Sequence, residues 1–283
     1  MKKLICVLLA MLFVGLTFTS CTSKTSTTTT AATTKAPGIT SLADLNGKKV
    51  AVQASTTSED FANALLAKGQ IKFQILPYEK VTECFDDLAL GRVDAVLVDQ
   101  VVAAYYSSGK SKIVWQNTVG EPMGICLKKG NDDLTALVEK AVDTLYYNGT
   151  VAKVATQYFG SDVTKGVRTV TTKPVLDLTK LKTIKAGTLM VGMEIGYPPM
   201  EYLKPNGIDY TGFDVDLAQK IADLFGLKLQ IVNTAWSGIF AALNKGEFDI
   251  MMSSVSITAA RQAAFDMTKP YVSNRIVLAV PNN

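Results

Sequence analysis

The feature that most constrains this chain of 283 residues is an alternation of strand and helix patterns between Thr188 and Pro270. Three apolar runs typical of strands, Leu189 to Glu194, Lys228 to Val232 and Phe248 to Met252, are separated by two patterns typical of amphipathic helices. Strands that alternate with helices in this way predict a parallel sheet with helices on its faces. This part of the chain is therefore predicted to fold as a βαβαβ unit.

Polar side chains collect at the points where these predicted strands end. In open α/β sheets, ligands bind outside the carboxyl ends of the strands. The side chains concerned are Glu194, Tyr197, Trp236, Ser253, Ser254, Ser256 and Arg261. Taken singly, each has an ordinary structural explanation, as a surface charge, a strand-end turn or a core ring. Together they predict a crevice that holds one cation, one carboxylate, two aromatic rings and three hydroxyl groups.

A second pattern of the same kind occupies the chain from Ile39 onward. Its predicted strands are Lys49 to Gln53, Lys72 to Leu76 and Asp94 to Val98, and its predicted helices are Ser58 to Ala67 and Tyr78 to Leu90. A predicted strand at Met123 to Leu127, helices at Asp132 to Tyr147 and Thr150 to Phe159, and a polar linker at Lys165 to Lys185 follow. The order predicts two α/β units joined by a helical segment and a linker.

Two features of this second pattern mark candidate binding groups. The cluster Ser55 to Thr57 precedes a helix and is predicted to supply its N-cap, and the free N–H groups of such a helix start form an anion site. Simple capping is the alternative. Asp99 follows the third strand and has two open interpretations, because it could cap the next helix or receive an ammonium group.

The N-terminal segment predicts export. Lys2 and Lys3 precede an apolar run from Leu4 to Leu16, which is too short to span a bilayer. Residues 1–20 are therefore predicted to be a secretory signal peptide.

A lipid anchor and a tether are predicted to follow the signal peptide. The sequence FTSC resembles the lipobox of bacterial lipoproteins, in which the cysteine, here Cys21, is lipidated; Phe18 stands where leucine is usual. Residues 21–38 are mostly Ser and Thr, which cannot bury enough surface to offset chain entropy, so they predict a flexible tether. Ordinary cleavage near Ser20 is the alternative.

Composition excludes several classes of site. The chain has no histidine, which excludes His-based nucleophilic catalysis and His-ligated metal sites, and we expect neither a metal nor a cofactor. Lys and Arg number 29 against 25 Asp and Glu, without a basic run, so we expect no nucleic-acid partner. Cys84 and Cys126 are predicted to be buried free thiols, with a disulfide as the alternative.

Several motifs together resemble one family. They are GYPPMEY, GFDVDLAQKIA, SSVSIT followed by Arg261, SLADLNGKKVAVQ, GRVDAVLVDQ and GICLKKG. The chain resembles the bacterial extracellular solute-binding proteins of family 3, the receptors for polar and basic amino acids of ABC importers, over residues 39–162 and 187–280. The resemblance implies an α/β fold of two lobes, the periplasmic-binding-protein type II or Venus flytrap fold, in which each lobe is a βαβαβ-based sheet flanked by helices.

The order of these motifs is reversed relative to the family, which runs from the SSVSIT motif to the VAVQ motif and the helical tail. The resemblance therefore implies a circular permutation whose joint is the linker 165–185. We expect residues 39–125 to form lobe 2, here called the VAVQ lobe, and residues 126–283 to form lobe 1, here called the SSVSIT lobe. The new termini are expected to interrupt one of two crossings between the lobes and to leave one near Gly124. A fragment of a tandem fusion is the alternative.

The resemblance also implies how the backbone groups of an amino acid would be held. Arg261 would clamp the α-carboxylate, because its planar fork matches a carboxylate. Thr57, from the other lobe, would add a donor to the same carboxylate. Asp99 would accept the α-ammonium group with help from Ser254 and Ser256.

The remaining candidates concern the ligand side chain. Tyr197 and Trp236 would sandwich it, and Glu194 would face a guanidinium or ammonium group, which the rings would also attract. Gln53 is a further candidate contact from the opposite lobe, and Ser253 completes the set. A basic amino acid, arginine before lysine or ornithine, is therefore the predicted ligand.

These inferences predict a binding protein and not an enzyme. We expect an extracytoplasmic, membrane-anchored lipoprotein, at the cell surface or in the periplasm, that acts as a monomer and delivers an amino acid to an ABC permease. The alternatives are a receptor for glutamine or cystine, a ligand-sensing lipoprotein without transport, a degenerate site, and an enzyme that resembles cyclohexadienyl dehydratase.

Overall fold

The computed structural model of the protein describes residues 38–107 and 109–282. The predicted signal peptide, the predicted lipidation site Cys21 and the tether up to Pro37 lie outside the described residues.

The helices and strands agree with the predicted order. The α-helices of the described residues are α1 (Thr57–Ala67), α2 (Val81–Ala89), α3 (Gln100–Tyr106), α4 (Asp132–Tyr147), α5 (Thr150–Phe159), α6 (Phe213–Phe225), α7 (Trp236–Lys245) and α8 (Ala259–Ala264). The strands up to the helical segment are β1 (Lys49–Gln53), β2 (Gln74–Tyr78), β3 (Ala95–Asp99), β4 (Ser111–Gln116), β5 (Glu121–Met123) and β6 (Cys126–Lys128). The later strands are β7 (Thr188–Met193), β8 (Tyr202–Leu203), β9 (Tyr210–Thr211), β10 (Lys228–Asn233), β11 (Ile250–Met251), β12 (Phe265–Met267), β13 (Val272–Asn274) and β14 (Ile276–Pro281).

Each lobe contains a five-stranded sheet. The VAVQ lobe has the order β2-β1-β3-β14-β4, and the SSVSIT lobe has the order β10-β7-β11-β6-β12. In both sheets the first three strands are parallel and the fourth is antiparallel to the third. The predicted α/β fold of two lobes, each built on a βαβαβ unit, is confirmed.

The C-terminal strand corrects the predicted lobe boundary. Strand β14 lies between β3 and β4 of the VAVQ lobe, with Val277 opposite Val98 and Leu278 opposite Leu97. Assigning all of residues 126–283 to the SSVSIT lobe is therefore wrong for residues 276–281. The physical reason is that this apolar run pairs its backbone with β3 and β4 and buries its side chains there.

The chain consequently crosses between the lobes twice. One crossing runs from β4 through β5 to β6, and the other runs from β12 through β13 to β14. Strands β5 and β13 pair in antiparallel fashion, with Met123 opposite Val272. The prediction of a single remaining crossing is wrong, because the C-terminal residues end inside the VAVQ lobe and not at the boundary between lobes.

The strand predicted at Met123 to Leu127 is divided at Gly124 into β5 and β6. A Cβ atom at Gly124 would lie 2.9 Å from the carbonyl oxygen of Thr268, so the two crossings approach each other too closely for a side chain there.

The helical tail packs into the SSVSIT lobe. Helices α4 and α5 share a core with α6 and β7, in which Leu137, Val154 and Ile221 are buried. The predicted linker 165–185 is irregular apart from a short 3₁₀ turn at Leu178–Lys180. Its Arg168 is buried and forms ion pairs with Glu139 and Asp143, so the linker is attached to α4.

The two cysteines among the described residues do not form a disulfide with each other. Cys84 and Cys126 are buried free thiols, as predicted, and burial raises the pKa of both. Within the described residues, no helix combines the length and apolar character that crossing a bilayer requires.

Candidate functional site

All ten residues predicted from the sequence line one cavity between the two lobes. The VAVQ lobe contributes Gln53, Thr57 and Asp99, and the SSVSIT lobe contributes Glu194, Tyr197, Trp236, Ser253, Ser254, Ser256 and Arg261. Thr56, from the predicted N-cap cluster, lines the same cavity, as do Ser58 and Glu201, which were not predicted. We refer to this cavity as the cleft.

Strand ends explain why these residues meet. Gln53 and Asp99 are the last residues of β1 and β3, and Glu194 directly follows β7. Ser253 lies two residues after β11. Because these strands are parallel within each sheet, their carboxyl ends lie at one edge, and the two edges face each other across the cleft.

Arg261 lies on the short helix α8 at the wall of the cleft. Its Nη1 donates to the Ser256 carbonyl oxygen at 3.0 Å, and its guanidinium carbon lies 5.4 Å from the Trp236 ring centroid and 5.2 Å from that of Phe240. Burial lowers its pKa, an effect that the charge of Glu121 opposes. None of the ion pairs formed by residues 38–107 and 109–282 involves Arg261, so its remaining donors suit an anionic ligand group.

The start of α1 faces Arg261 from the VAVQ lobe. Thr56 is the N-cap, and its side chain accepts from the Glu59 N–H, as the Ser/Thr cluster predicts. Thr57 is the first helical residue, and its Oγ1 lies 3.4 Å from Ser256 Oγ across the cleft. The helix start therefore points toward the same wall as Arg261.

Asp99 does not cap the following helix. It occupies the N-cap position of α3, but its side chain makes no capping hydrogen bond. Its Oδ2 instead accepts from the Tyr197 hydroxyl of the other lobe at 2.6 Å. Burial, followed by the charge of Glu121, raises the pKa of Asp99 to about 8, against the opposing effects of Tyr197 and Arg261. At neutral pH this carboxyl group therefore holds a proton that a cationic partner in the cleft would displace.

Glu194 lies at the wall of the cleft and accepts two hydrogen bonds. Its Oε2 accepts from Gln53 Nε2 at 2.6 Å, and its Oε1 accepts from the Trp236 backbone N–H at 3.2 Å. Burial raises its pKa, and these two hydrogen bonds oppose the rise. Glu194 is thus a buried carboxyl group that already bonds an amide from the other lobe.

The two aromatic rings do more than line the cleft. Trp236 donates its indole N–H to the Ser55 carbonyl oxygen of the VAVQ lobe at 3.0 Å and contacts Arg261 with its ring. Tyr197 bonds Asp99. Both rings therefore connect the lobes, and the sandwich of a ligand side chain between them stays a prediction.

The serines after β11 have different roles. Ser253 Oγ accepts from the Glu194 N–H at 3.0 Å and donates to Glu201 Oε1 at 2.6 Å, so its hydroxyl is committed inside the protein. Ser254 has φ of +52°, and its buried Oγ has no partner among the described residues. Its hydroxyl is therefore free to bond a molecule in the cleft.

Two buried carboxyl groups escaped the sequence prediction. Glu201 lines the cleft and is 1% exposed, and Asp214 is fully buried in the first turn of α6. Both stand inside motifs that carry the resemblance, GYPPMEY and GFDVDLAQKIA. The signal that could have found them is a carboxylate among apolar residues that are otherwise buried.

The comparisons with known families match the chain in two parts. Residues 189–283 match the family described as bacterial extracellular solute-binding proteins, family 3. Residues 15–117 match the family described as NMT1/THI5 like.

Individual relatives match over limited lengths. The L-cystine-binding protein TcyJ of Escherichia coli (strain K12) is 34% identical over 95 residues, which cover 34% of this chain and 35% of TcyJ. Cyclohexadienyl dehydratase of Pseudomonas aeruginosa is 36% identical over 91 residues, 32% of this chain and 34% of the relative. The L-arginine-binding protein of the same species is 30% identical over 131 residues, 43% of this chain and 50% of the relative.

A solved structure, the ancestral cationic amino acid solute binding protein AncCDT-1, is 47% identical over 27% of this chain and 33% of its own, with a TM-score of 0.27. The chain spans about a third of the length of the first curated relatives that it matches. The match to family 3 of the bacterial extracellular solute-binding proteins covers residues 189–283, which is about a third of this chain.

Proposed function

We propose that this chain is the extracytoplasmic receptor of an ABC importer for amino acids and that it binds a basic amino acid, arginine before lysine or ornithine. The observation that carries the proposal is the charge pattern of the cleft. Asp99, Glu194 and Arg261 line one cavity, and no ion pair of the described part of the chain includes any of them. A buried charge without a counter-charge is costly, so a ligand that supplies the missing charges is stabilised there.

The pattern fits an α-amino acid. Its α-carboxylate would bind Arg261 together with the N-terminus of α1, and its α-ammonium group would replace the Tyr197 hydroxyl at Asp99. A cationic side chain would reach Glu194, whose hydrogen bond with Gln53 would then be exchanged or shared. The relatives named for L-cystine and L-arginine support an amino acid as the ligand class.

Binding would depend on movement of the lobes. Four hydrogen bonds join the walls of the cleft, from Gln53 to Glu194, from Tyr197 to Asp99, from Trp236 to Ser55, and between Thr57 and Ser256. The ligand would dock on the SSVSIT lobe, and the VAVQ lobe would then close over it, with β5 and β13 as the two connections. The closed form would dock on a permease.

The proposal includes export, a lipid on Cys21 and a monomeric state. It also includes a circular permutation, whose new termini fall between β14 and residue 39, both within the VAVQ lobe. Two crossings between the lobes therefore remain.

Glutamine is a second candidate ligand for one specific reason. The amide of Gln53 donates to Glu194 at 2.6 Å, which shows that this carboxyl group accepts a bond from a primary amide. A glutamine side chain could take the same place.

A dehydratase activity is the enzymatic alternative, since cyclohexadienyl dehydratase is among the relatives. Incubation with prephenate or arogenate tests it, and turnover that Glu194→Gln abolishes would replace the receptor proposal by an enzyme.

The main test is calorimetric titration of protein expressed from residue 21 with Cys21→Ser, which prevents acylation. We expect arginine to bind with a free energy of about −8 kcal/mol or more negative, equivalent to a micromolar Kd. Glu194→Ala should weaken arginine binding by about tenfold or more, because a charge-assisted hydrogen bond is lost.

Asp86→Ala is the matched control, since it removes an exposed carboxylate of α2 outside the cleft and should leave the affinity unchanged. Tight binding of glutamine or cystine in place of arginine would keep the receptor and refute the proposed role of Glu194. No heat with any amino acid would refute the receptor proposal itself.

A further inference from the structure

Glu201 and Asp214 form a buried pair beneath the cleft. Glu201 follows β7 in the loop that leads to β8, and Asp214 lies in the first turn of α6. The backbone N–H groups of Phe213 and Asp214 donate to the carbonyl oxygens of Pro199 and Met200, which fixes the start of α6 against this loop. Gly212 permits the approach, because a Cβ atom there would overlap the Met200 carbonyl group.

The hydrogen bonds of Glu201 have a defined direction. Ser253 Oγ accepts the Glu194 N–H, so its own proton goes to Glu201 Oε1. Glu201 Oε1 is therefore an acceptor. Its other oxygen, Oε2, is buried and has no partner assigned among the described residues.

Asp214 presents the complementary arrangement. Its Oδ2 accepts from the Ser254 N–H at 2.9 Å and from the Tyr271 hydroxyl at 2.8 Å. Its Oδ1 is also buried and has no hydrogen-bond partner in the described part of the chain. The adjacent residues Ser253 and Ser254 thus hold the two buried carboxyl groups, and each group keeps one buried oxygen without a partner among the described residues. Because two carboxylates have no proton to share, a hydrogen bond between them requires that one carries a proton.

The surroundings of the pair favour one retained proton. Burial raises the pKa of Glu201 well above its usual value, and the charges of Asp214, Glu194 and Asp99 raise it further. Burial also raises the pKa of Asp214 to about 7, against the hydrogen bonds from Ser254, Tyr271 and Glu201. No ion pair of the described residues supplies a cation to either group.

We propose that Glu201 and Asp214 are positioning residues that share one proton, carried by Glu201, and that this pair holds Ser253 and Ser254 in place at the cleft. Ser254 has a left-handed backbone, which a residue with a side chain adopts only where its surroundings fix it. Asp214 fixes its N–H and Glu201 fixes the preceding hydroxyl, so the free Ser254 hydroxyl faces the cleft. The role in ligand binding rests on the proposed function; the shared proton does not.

Amide substitutions test the shared proton without any ligand. In Glu201→Gln, the carbonyl oxygen can accept from Ser253 while the NH2 group donates to Asp214, as the proposed carboxylic acid does. In Asp214→Asn, the oxygen can accept from Ser254 and Tyr271 while Glu201 becomes the ionised acceptor. In the double variant two NH2 groups would face each other.

We therefore expect both single variants to fold and the double variant to be destabilised far beyond the sum of the singles in denaturant unfolding. A double variant that fails to fold while both single variants fold would support the shared proton in the same way. Additive effects, stabilisation of the single variants by relief of repulsion, or failure of Glu201→Gln to fold would each overturn the shared proton.

The pH profile and infrared spectrum provide readouts that a purely structural role would not change. Burial raises the pKa of both carboxyl groups in the folded state, that of Asp214 to about 7, so their contribution to stability is present at acid pH and is lost as the pH rises through these raised values. Glu201→Gln should reduce this loss and should remove a carboxylic-acid C=O band from the infrared spectrum at neutral pH. Glu79→Gln, an exposed control, should change neither; an unchanged spectrum in Glu201→Gln would refute the proton on Glu201.

Arginine titration then tests positioning. Ser254→Ala should weaken binding without changing the pH profile of stability, and Glu201→Ala should weaken binding through the same hydroxyl. If the amide variants behave as expected but no amino acid binds, the shared proton stands and the proposed function fails. If arginine binds Glu201→Ala as tightly as the unmodified protein, the positioning role is wrong.

Discussion

The VAVQ lobe and the SSVSIT lobe have the same sheet order but contribute different chemistry to the cleft. The VAVQ lobe presents Gln53, Thr57 and Asp99 from two strand ends and one helix start. The SSVSIT lobe presents Arg261 and Glu194, and a buried network beneath them fixes the adjoining backbone. The difference teaches that one repeated scaffold can carry different chemistry on its two copies, which is the basis of the proposal that one lobe docks the ligand and the other covers it.

Substitution of Arg261 is the strongest test of this division. Arg261→Ala should weaken arginine binding by about 100-fold or more, because truncating one partner of a buried charge pair costs roughly 2–5 kcal/mol. Arg261→Lys should be intermediate, since it keeps the charge without the planar fork. Titration calorimetry measures both, with Gln262→Ala, an exposed neighbour, as the control. An unchanged affinity in Arg261→Ala would show that the SSVSIT lobe is not the docking surface.

Asp99 tests the contribution of the VAVQ lobe. Asp99→Asn should weaken binding by about tenfold, because an amide cannot supply the counter-charge for an ammonium group. In the unmodified protein, the pKa of about 8 predicts that affinity rises as the pH approaches 8 and that binding at neutral pH releases protons. Titrations in buffers with different protonation enthalpies measure this release, which the variant should lack.

The raised pKa of Asp99 also predicts how the stability of the protein depends on pH. The folded-state pKa of Asp99 lies above its usual value, so its contribution to the free energy of unfolding is present at acid pH and is lost as the pH rises through about 8. Identical pH profiles of unfolding in Asp99→Asn and the unmodified protein would refute the assignment.

The contact between Trp236 and Ser55 gives the smallest expected effect. Trp236→Phe keeps an aromatic ring but removes the indole N–H bond across the cleft, worth about 1 kcal/mol. We expect a larger radius of gyration by solution scattering and a modest loss of affinity. Phe240→Leu is the matched control, because Phe240 also contacts Arg261, whereas the hydrogen bond to Ser55 across the cleft is made by Trp236. An equal increase in the radius of gyration of both variants would refute the role proposed for this hydrogen bond.

Strand ends were the most predictable part of the site. Asp99 and Glu194 follow apolar runs of strand length, and parallel strands must bring their carboxyl ends to one edge of a sheet. Arg261 was also placed in the crevice by the strand-end pattern, but its role as a carboxylate clamp came from the resemblance, because a single charge in a helical stretch does not specify its partner. Glu201 and Asp214 were missed, since their role follows from hydrogen bonds between segments that are distant in the chain.

The sequence by itself determined the alternation of strands and helices, the chemistry available at the strand ends and the similarity of the two lobes. These features follow from local periodicity and from backbone geometry. Only the tertiary structure decided that β14 returns to the VAVQ lobe, that Tyr197 bonds Asp99, and that the adjacent Ser253 and Ser254 hydrogen-bond to two buried carboxyl groups. Pairing partners and buried hydrogen bonds depend on which distant segments become neighbours, and no local pattern of residues specifies that.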